Sequence, residues 1–246
     1  MLICDLNCDM GEGMGNESLI MPFISSANIA CGFHAGNGDI IRKTIDLALK
    51  HNVKIGAHPS FRDKENFGRK EMKLPFEKLY AIMLEQLIKI DLIAKEMGAV
   101  MHHVKPHGAL YNMASKDEGL AKAIAIAIKD FNENLVLYGL SGSVMIEMAH
   151  SAGLKTANEV FGDRTYLDDG SLTPRTMENA MIETEDQSIR QVLQIIRTGT
   201  VTTVNGNIIP MHAETICIHG DNLRAVFFAR KIYQTLQKEN FAGQTT

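Results

Sequence analysis

The chain contains no tryptophan, only four cysteines and six prolines, and no block of lysine or arginine. Cys4, Cys8, Cys31 and Cys217 are scattered without a C-x-x-C pair, which excludes a zinc ribbon. All four fall in or beside expected strands, where free cysteine behaves as a small buried hydrophobe rather than a nucleophile. A formal net charge of −4 with no basic run argues against nucleic acid as a partner. No apolar run approaches the ~20 residues a membrane span needs, and Asp5 comes too early to leave room for a secretory apolar segment. The expected setting is therefore the cytoplasm, away from membranes. Common catalytic signatures are missing too. There is no G-x-x-x-x-G-K-[ST], no G-x-S-x-G elbow and no helical H-x-x-x-H, and Gly11-Glu-Gly-Met-Gly15 lacks the dinucleotide spacing, although its N–H groups could cradle an anion.

What is present is an unbroken alternation of strand and helix signals, the pattern of a parallel α/β layer or barrel. The length of 246 residues suits one α/β barrel, with 45% apolar and 22% charged residues as in ordinary globular chains. Strands are expected at Leu2–Asn7, Ala27–Cys31, Lys54–Ala57, Val100–Lys105, Leu135–Gly139, Lys155–Glu159 and Thr215–Ile218. Asp39 is a candidate cap for a helix over Ile40–Lys50, and Pro75 opens a long helix that Gly98 stops. Leu120 to Phe131 and Ile189 to Ile196 stripe two more, the second ended by Gly199. Asp221 is a candidate cap for a last helix striped by Val226, Tyr233 and Leu236. Thr200–Val204 and Ile208–Met211 flank Asn205-Gly206-Asn207, a β-hairpin signal inserted into the series. No linker or repeat interrupts residues 1–246, so one domain is expected, with a frayed end at Gly243–Thr246.

The first strand sends polar groups one way. Side chains alternate with period two, so Leu2, Cys4, Leu6 and Cys8 share one face and Ile3, Asp5, Asn7 and Asp9 the other. In such folds functional groups sit at the C-terminal ends of strands, and six of the seven strands end in polar residues. They supply Asn7, Asp9 and Glu12; Asn28 and His34; His58; His103, Lys105 and His107; Glu159, Asp163 and Arg164; and His219 with Asp221. Leaving such groups buried and unpaired costs ~1–3 kcal/mol each, so their convergence on one rim points to an active site. Pro59 and Pro106 cannot extend a sheet ladder, and they fix the exits beside His58 and His107.

These residues lie in longer motifs: Asp5-Leu-Asn-Cys-Asp-Met-Gly-Glu-Gly13, Ser26-Ala-Asn-Ile-Ala-Cys-Gly-Phe-His-Ala-Gly36, Gly56-Ala-His-Pro-Ser60, Val104-Lys-Pro-His-Gly-Ala-Leu-Tyr111, Glu159-Val-Phe-Gly-Asp-Arg-Thr-Tyr166, Asp169-Gly-Ser-Leu-Thr-Pro-Arg175 and His219-Gly-Asp221. In this order they resemble the LamB/YcsF family over nearly the whole chain. The resemblance implies a seven-stranded parallel β/α barrel of the glycoside hydrolase/deacetylase type. It also implies the A-subunit role in ATP-driven opening of 5-oxo-L-proline to L-glutamate, with 5-oxoprolinase subunits B and C as partners and Mg-ATP as co-substrate.

The residues suit that chemistry. A lactam is a resonance-stabilised amide, and phosphorylating its oxygen would make the carbon electrophilic and supply a leaving group. Asp9 or Glu159 would activate the attacking water. Lys105 and Arg164 would hold phosphate or the substrate carboxylate, and His34, His58, His107 and His219 would share proton transfer and oxyanion stabilisation. Asn7, Glu12 and Asp221 complete the expected substrate contacts. With no nucleotide motif in this chain, ATP is expected to bind the partner subunits. Two rival readings stand beside this one. The first is a metal-dependent deacetylase or amidohydrolase using Asp9 with two of His34, His58 and His107, although Met10 stands where related deacetylases carry a second Asp. The second is a non-catalytic subunit that captures substrate. Surface helices could also build a homo-oligomer, though no exposed apolar stripe singles one out.

Overall fold

A computed structural model describes residues 4–221, 224–239 and 241 of the chain. The expected strand start at Leu2 and Ile3 and the tail at 243–246 lie outside the described residues. Seven parallel strands close into a barrel: β1 (Asp5–Met10), β2 (Ser26–Ala30), β3 (Lys54–His58), β4 (Met101–Val104), β5 (Val136–Leu140), β6 (Lys155–Phe161) and β9 (Thr215–Ile218). β9 closes the ring between β6 and β1, with Asp5 opposite Thr215 and Phe161 opposite Cys217. The hairpin insertion is β7 (Thr200–Thr202) and β8 (Ile208–Pro210), paired antiparallel outside the barrel.

Strand one runs later than its apolar pattern suggests. Its pairing with β2 puts Asn7 opposite Ser26 and Asp9 opposite Asn28, so Asp9, expected beyond the strand, lies within it. Cys4, Leu6, Cys8 and Met10 are all buried, as are Asn7 and Asp9 on the opposite face. That second face lines the inside of the barrel. Most barrels of this kind fill their interior with branched apolar side chains, but this one is hydrogen-bonded through. Thr215 Oγ1 and Ser26 Oγ donate to Asp5 at 2.7 Å each, Asn7 Nδ2 donates to Glu159 Oε1 at 2.9 Å, and His103 Nε2 meets Asn28 Oδ1 at 2.7 Å. Gly56 leaves room for this layer, because a Cβ there would lie 2.3 Å from the His103 ring.

The apolar core lies between the barrel and its helices. On α3 (Phe76–Glu96), Leu79, Met83, Leu87 and Ile90 are fully buried at helical spacing, each contributing ~1.5–3 kcal/mol of transfer free energy. Pro75 caps this helix at its start, and Gly98 at φ 72° follows its end. α5 (Glu118–Asn132) is capped by Asp117, and α7 (Glu185–Thr198) ends on Gly199 at φ 64°. Two caps differ from expectation. α2 (Gly38–Lys50) starts two residues earlier, with Asn37 Oδ1 accepting from Ile40 N at 3.0 Å in place of Asp39. Asp221 does not cap the last helix, α8 (Ala225–Lys238), whose cap position is Arg224; its carboxylate is drawn to Arg69 instead. The buried face of α8 is Ala225, Phe228, Ala229, Ile232 and Leu236, rotated from the expected stripe. Short helices α1 (Glu17–Ile20), α4 (Gly108–Ala114) and α6 (Val144–Ser151) complete the shell. Among the described residues no helix is long and apolar enough to cross a membrane.

Candidate active site

Lys105 organises the centre. It follows β4, is almost wholly buried, and donates from Nζ to Asp9 Oδ1 at 2.8 Å and to Cys217 Sγ at 2.9 Å, with Glu159 Oε1 at 3.0 Å. Burial opposes the ammonium charge, but Asp9, Cys217 and Glu159 outweigh it and hold the pKa well above the usual lysine range. Asp9 shows the mirror effect. Burial would raise its carboxyl, yet His58 and Lys105 hold it well below the ordinary carboxylate range, as an anion. Glu12 goes the other way, raised well above its usual value by burial and by Asp9 and Asp221.

Beside this ion pair stand three histidines, His58 at the end of β3 and His34 and His107 in the loops after β2 and β4. His34 stacks on His107, ring centroids 3.8 Å apart and nearly parallel, and His58 meets both edge-on. His58 Nδ1 contacts the Lys105 carbonyl at 2.7 Å, His107 Nε2 the Phe67 carbonyl at 2.9 Å, and His34 Nδ1 the Ser60 hydroxyl at 2.9 Å. Their other nitrogens converge on Glu12 Oε1, at 3.3 Å for His34, 3.9 Å for His58 and 3.4 Å for His107. Burial, with the neighbouring imidazoles, pushes the His34 and His107 pKa values well down, so both rings are neutral.

The centre opens into a cleft of about 460 Å³ lined by Asp9, His58, Lys105, His107, Arg69, Arg175 and His219, among others, within the size range of small-molecule sites. His219 Nδ1 contacts the Asp163 carboxylate at 3.0 Å, which also accepts from the His219 backbone N–H. Despite burial, His219 and its hydrogen bonds keep the Asp163 pKa low. Arg69 and Arg175 reach Asp221 at 2.5 and 3.6 Å.

Of the residues expected from the sequence, Asp9, His58, Lys105, His107, Arg164 and His219 line the cleft. Glu12 and His34 complete the histidine group behind it. Asn7 and Glu159 are fully buried beneath Lys105, inside the barrel. Asn7 is bonded to Glu159, Thr215 and Asn28, which makes it a brace for the charges above it. Arg164 spends two nitrogens on the Ala180 and Thr173 carbonyls, and burial together with Arg175 pushes its pKa down to about 10. Its side chain ties together the loop before α7, while Arg69 and Arg175 are the cations of the cleft mouth. Asp221 is their counterion.

Several contributors escape a reading of the sequence. Gln86, an amide on the buried face of α3, accepts from Ser60 N at 3.0 Å and donates to Ser60 O at 2.9 Å. Phe67 sits at φ 54°, a region a non-glycine residue enters only under constraint, and presents its carbonyl to His107. Gln86 had a detectable signal, a lone polar residue in a helical apolar stripe. Phe67 had none. All four cysteines are buried and free, with Cys4 and Cys31 pushed up to about 12 by burial, so they are inert thiols at neutral pH.

A closed parallel barrel with a buried lysine–carboxylate pair and a converging histidine group at its C-terminal rim defines a β/α-barrel protein with a polar reaction centre. Residues 4–246 match the LamB/YcsF family model, and the chain belongs to the LamB/YcsF family. It is 50% identical to the A subunit of 5-oxoprolinase from Geobacillus kaustophilus (strain HTA426), covering 99% of this chain and 97% of that one. It is 49% identical to the protein of the same description from Bacillus cereus (strain 03BB102), covering 98% of each. The crystal structure of the lactam utilization protein from Thermus thermophilus superimposes with a TM-score of 0.92 at 39% identity, over the full length of both chains.

Proposed function

We propose that this chain is the ring-opening subunit of an ATP-hydrolysing 5-oxoprolinase, working with subunits B and C to convert 5-oxo-L-proline to L-glutamate. The observation that carries this reading is the anionic Asp9 at the wall of a cleft that also presents Lys105, Arg69, Arg175 and His219, with the exposed Glu71 as its other carboxylate, together with the relatives described above. Lactam hydrolysis needs such a set: a base for water, a proton for the leaving nitrogen, and cations for a carboxylate and a phosphate.

ATP transfers its γ-phosphoryl group to the lactam oxygen, giving ADP and an electrophilic C5. Water adds to C5 as Asp9 takes its proton. The C5–N bond then breaks, the nitrogen leaves with a proton from the His219 imidazolium, and γ-glutamyl phosphate remains. A second water cleaves it to glutamate and inorganic phosphate. Asp9 suits the base role better than Glu159, since it lines the cleft while Glu159 lies beneath Lys105. Lys105 remains charged throughout and stabilises the anionic oxygen rather than moving a proton. Arg69 and Arg175, held by Asp221, receive the substrate carboxylate or the phosphate. Mg-ATP binds the partner subunits, which deliver the phosphoryl group. The chain works in the cytoplasm as part of this assembly.

Glutamate release from 5-oxo-L-proline with Mg-ATP tests this reading, comparing this chain, its partners and the mixture. Glutamate from the mixture alone, with ATP hydrolysis by the partners alone, is the expected result. No glutamate from any combination would remove the substrate assignment.

A further inference from the structure

The histidine group has a hydrogen count that does not close. Ser60 Oγ spends its hydrogen on the Phe61 carbonyl at 2.8 Å, so towards His34 it can only accept, and His34 carries its hydrogen on Nδ1. His58 Nδ1 and His107 Nε2 each face a backbone carbonyl and therefore carry theirs there. A neutral imidazole has one N–H. When all three rings are neutral, the inward atoms His34 Nε2, His58 Nε2 and His107 Nδ1 are lone pairs, and His58 Nε2 also faces Asp9 Oδ2 at 3.4 Å. Two of them, His58 Nε2 and His107 Nδ1, stand 2.9 Å apart with no hydrogen between them. The fourth inward atom, Glu12 Oε1, is an acceptor when ionised, and a proton on it would satisfy only one of the three nitrogens.

Four electron-pair donors facing one another call for a cation, either a proton held by His58 or a metal ion, and their spacing suits the metal. Ligand atoms bound tetrahedrally at ~2.0–2.1 Å stand about 3.4 Å apart. Four of the six separations within the group, 2.9, 3.3, 3.4 and 3.9 Å, fall around that value, and all four atoms lie within 4.8 Å of one another. The outer nitrogens are also anchored as those of metal-bound histidines are, each to a carbonyl or hydroxyl that fixes tautomer and ring orientation. Two further features make those anchors rigid. Gln86 grips both main-chain atoms of Ser60, and Gly68 at φ 65° packs against His34 and His107 so closely that a Cβ would lie 2.9 Å from each.

We propose that Glu12, His34, His58 and His107 bind one divalent transition-metal ion. Three imidazoles and a carboxylate select zinc-class ions over Mg2+ or Ca2+, which prefer all-oxygen shells. Asp9, the carboxylate expected from the sequence to join the histidines, is held through Oδ1 by Lys105 and Asn28 and reaches His58 Nε2 with Oδ2 at 3.4 Å, whereas Glu12 Oε1 faces all three rings. The neighbouring group of Asp9, Cys217 and His219 needs no ion, because the Lys105 ammonium already contacts Asp9 and Cys217 there. This inference goes beyond the ring-opening reading and does not depend on it.

The test uses the full chain, stripped with a chelator, dialysed against Zn2+ and assayed for bound metal, with Co2+ loaded separately for its visible absorption. About one equivalent of Zn2+ per chain, a Zn2+-dependent rise in Tm and imidazole-type Co2+ bands are expected. Glu12→Gln and His34→Asn should lower Zn2+ affinity at least tenfold with an unchanged far-UV circular dichroism spectrum, and Gln86→Leu, acting through Ser60, by about 10–100-fold. A wild-type chain with no stoichiometric Zn2+ and no Tm shift would overturn the proposal and leave a proton shared between His58 and His107. So would full Zn2+ affinity in both Glu12→Gln and His34→Asn. Should those variants misfold, the wild-type stoichiometry, Tm shift and Co2+ spectrum decide alone. Metal is counted without substrate, so a chain that binds Zn2+ but yields no glutamate with its partners would fail only the ring-opening reading.

Discussion

Lys105 Nζ lies 2.8 Å from Asp9 Oδ1, and this pair is buried at the level where the barrel interior meets the cleft. Glu159 shares the same ammonium from below. Removing the cation leaves two carboxylates buried without their counterion. Lys105→Ala should therefore cost about 3–5 kcal/mol of stability, the range for breaking a buried pair, and abolish glutamate release. Asp9→Asn keeps a neutral partner for the lysine and should cost less stability while losing activity as completely. Urea unfolding run alongside the glutamate assay separates the two. Stability loss without activity loss in either variant would place the pair outside the chemistry.

Buried histidines set the acid side of the stability curve. His103 is fully buried inside the barrel, and burial, His102 and Lys105 hold its pKa well below 6.5. The folded chain thus keeps this ring neutral while the unfolded chain protonates it below about pH 6.5. Protons bound by the unfolded state alone make stability fall as pH falls, by about 1.4 kcal/mol per pH unit for each such group. His34 and His107 act in the same direction. The urea midpoint should drop steeply between pH 7 and pH 5, and His103→Gln should make that slope shallower by close to one proton. An unchanged slope would mean that His103 is protonated in the folded protein.

Much of this architecture is legible in the sequence because period-two alternation and helical stripes report which face is buried. Strand β9 lies at the expected residues, and the other six barrel strands are off by one to three residues at an end. Depth is what the pattern cannot report. Asn7, Asn28, His103 and Glu159 have the right face but sit inside the barrel rather than at its rim, since only closure of the ring decides how far along the axis each one lies. The caps were ambiguous for a related reason. Asn37 and Asp39 are both competent, and the backbone path out of β2 selects between them. α4 and α6 are too short, at 7 and 8 residues, to show a stripe. The contacts of Glu12 and Gln86 link distant parts of the chain and leave no local pattern.

Gly56 tests the polar interior directly. Its backbone lies against the His103 ring, and a methyl group would meet that ring at 2.3 Å. The ring cannot retreat without giving up its bond to Asn28, which in turn donates to Asp9 and Asn7. Gly56→Ala should destabilise by about 1–3 kcal/mol, as overpacking does, and lower activity through displacement of Asp9. The double variant Gly56→Ala with His103→Ala should recover part of the stability. No recovery would show that the glycine serves the strand backbone rather than the ring.

Asp163 and His219 form the remaining pair of the cleft, 3.0 Å apart and fixed by a second bond from the His219 backbone. The carboxylate holds hydrogen on Nδ1 and leaves Nε2 for the substrate. If His219 delivers the proton to the departing ring nitrogen, Asp163 acts as a positioning residue, stabilising the imidazolium and selecting its tautomer. Asp163→Asn preserves shape but presents an amide that can stabilise the wrong tautomer, and should lower kcat by about 10²–10⁴-fold with little change in KM. Arg175→Ala should do the reverse, raising KM about tenfold or more through loss of a charged contact of about 1.5–3 kcal/mol while kcat changes little. The two variants therefore divide cleanly along the kcat and KM axes if proton delivery and anion binding are separate tasks. Equal losses in KM from both would mean that Asp163 only shapes the cleft and that the departing nitrogen takes its proton elsewhere.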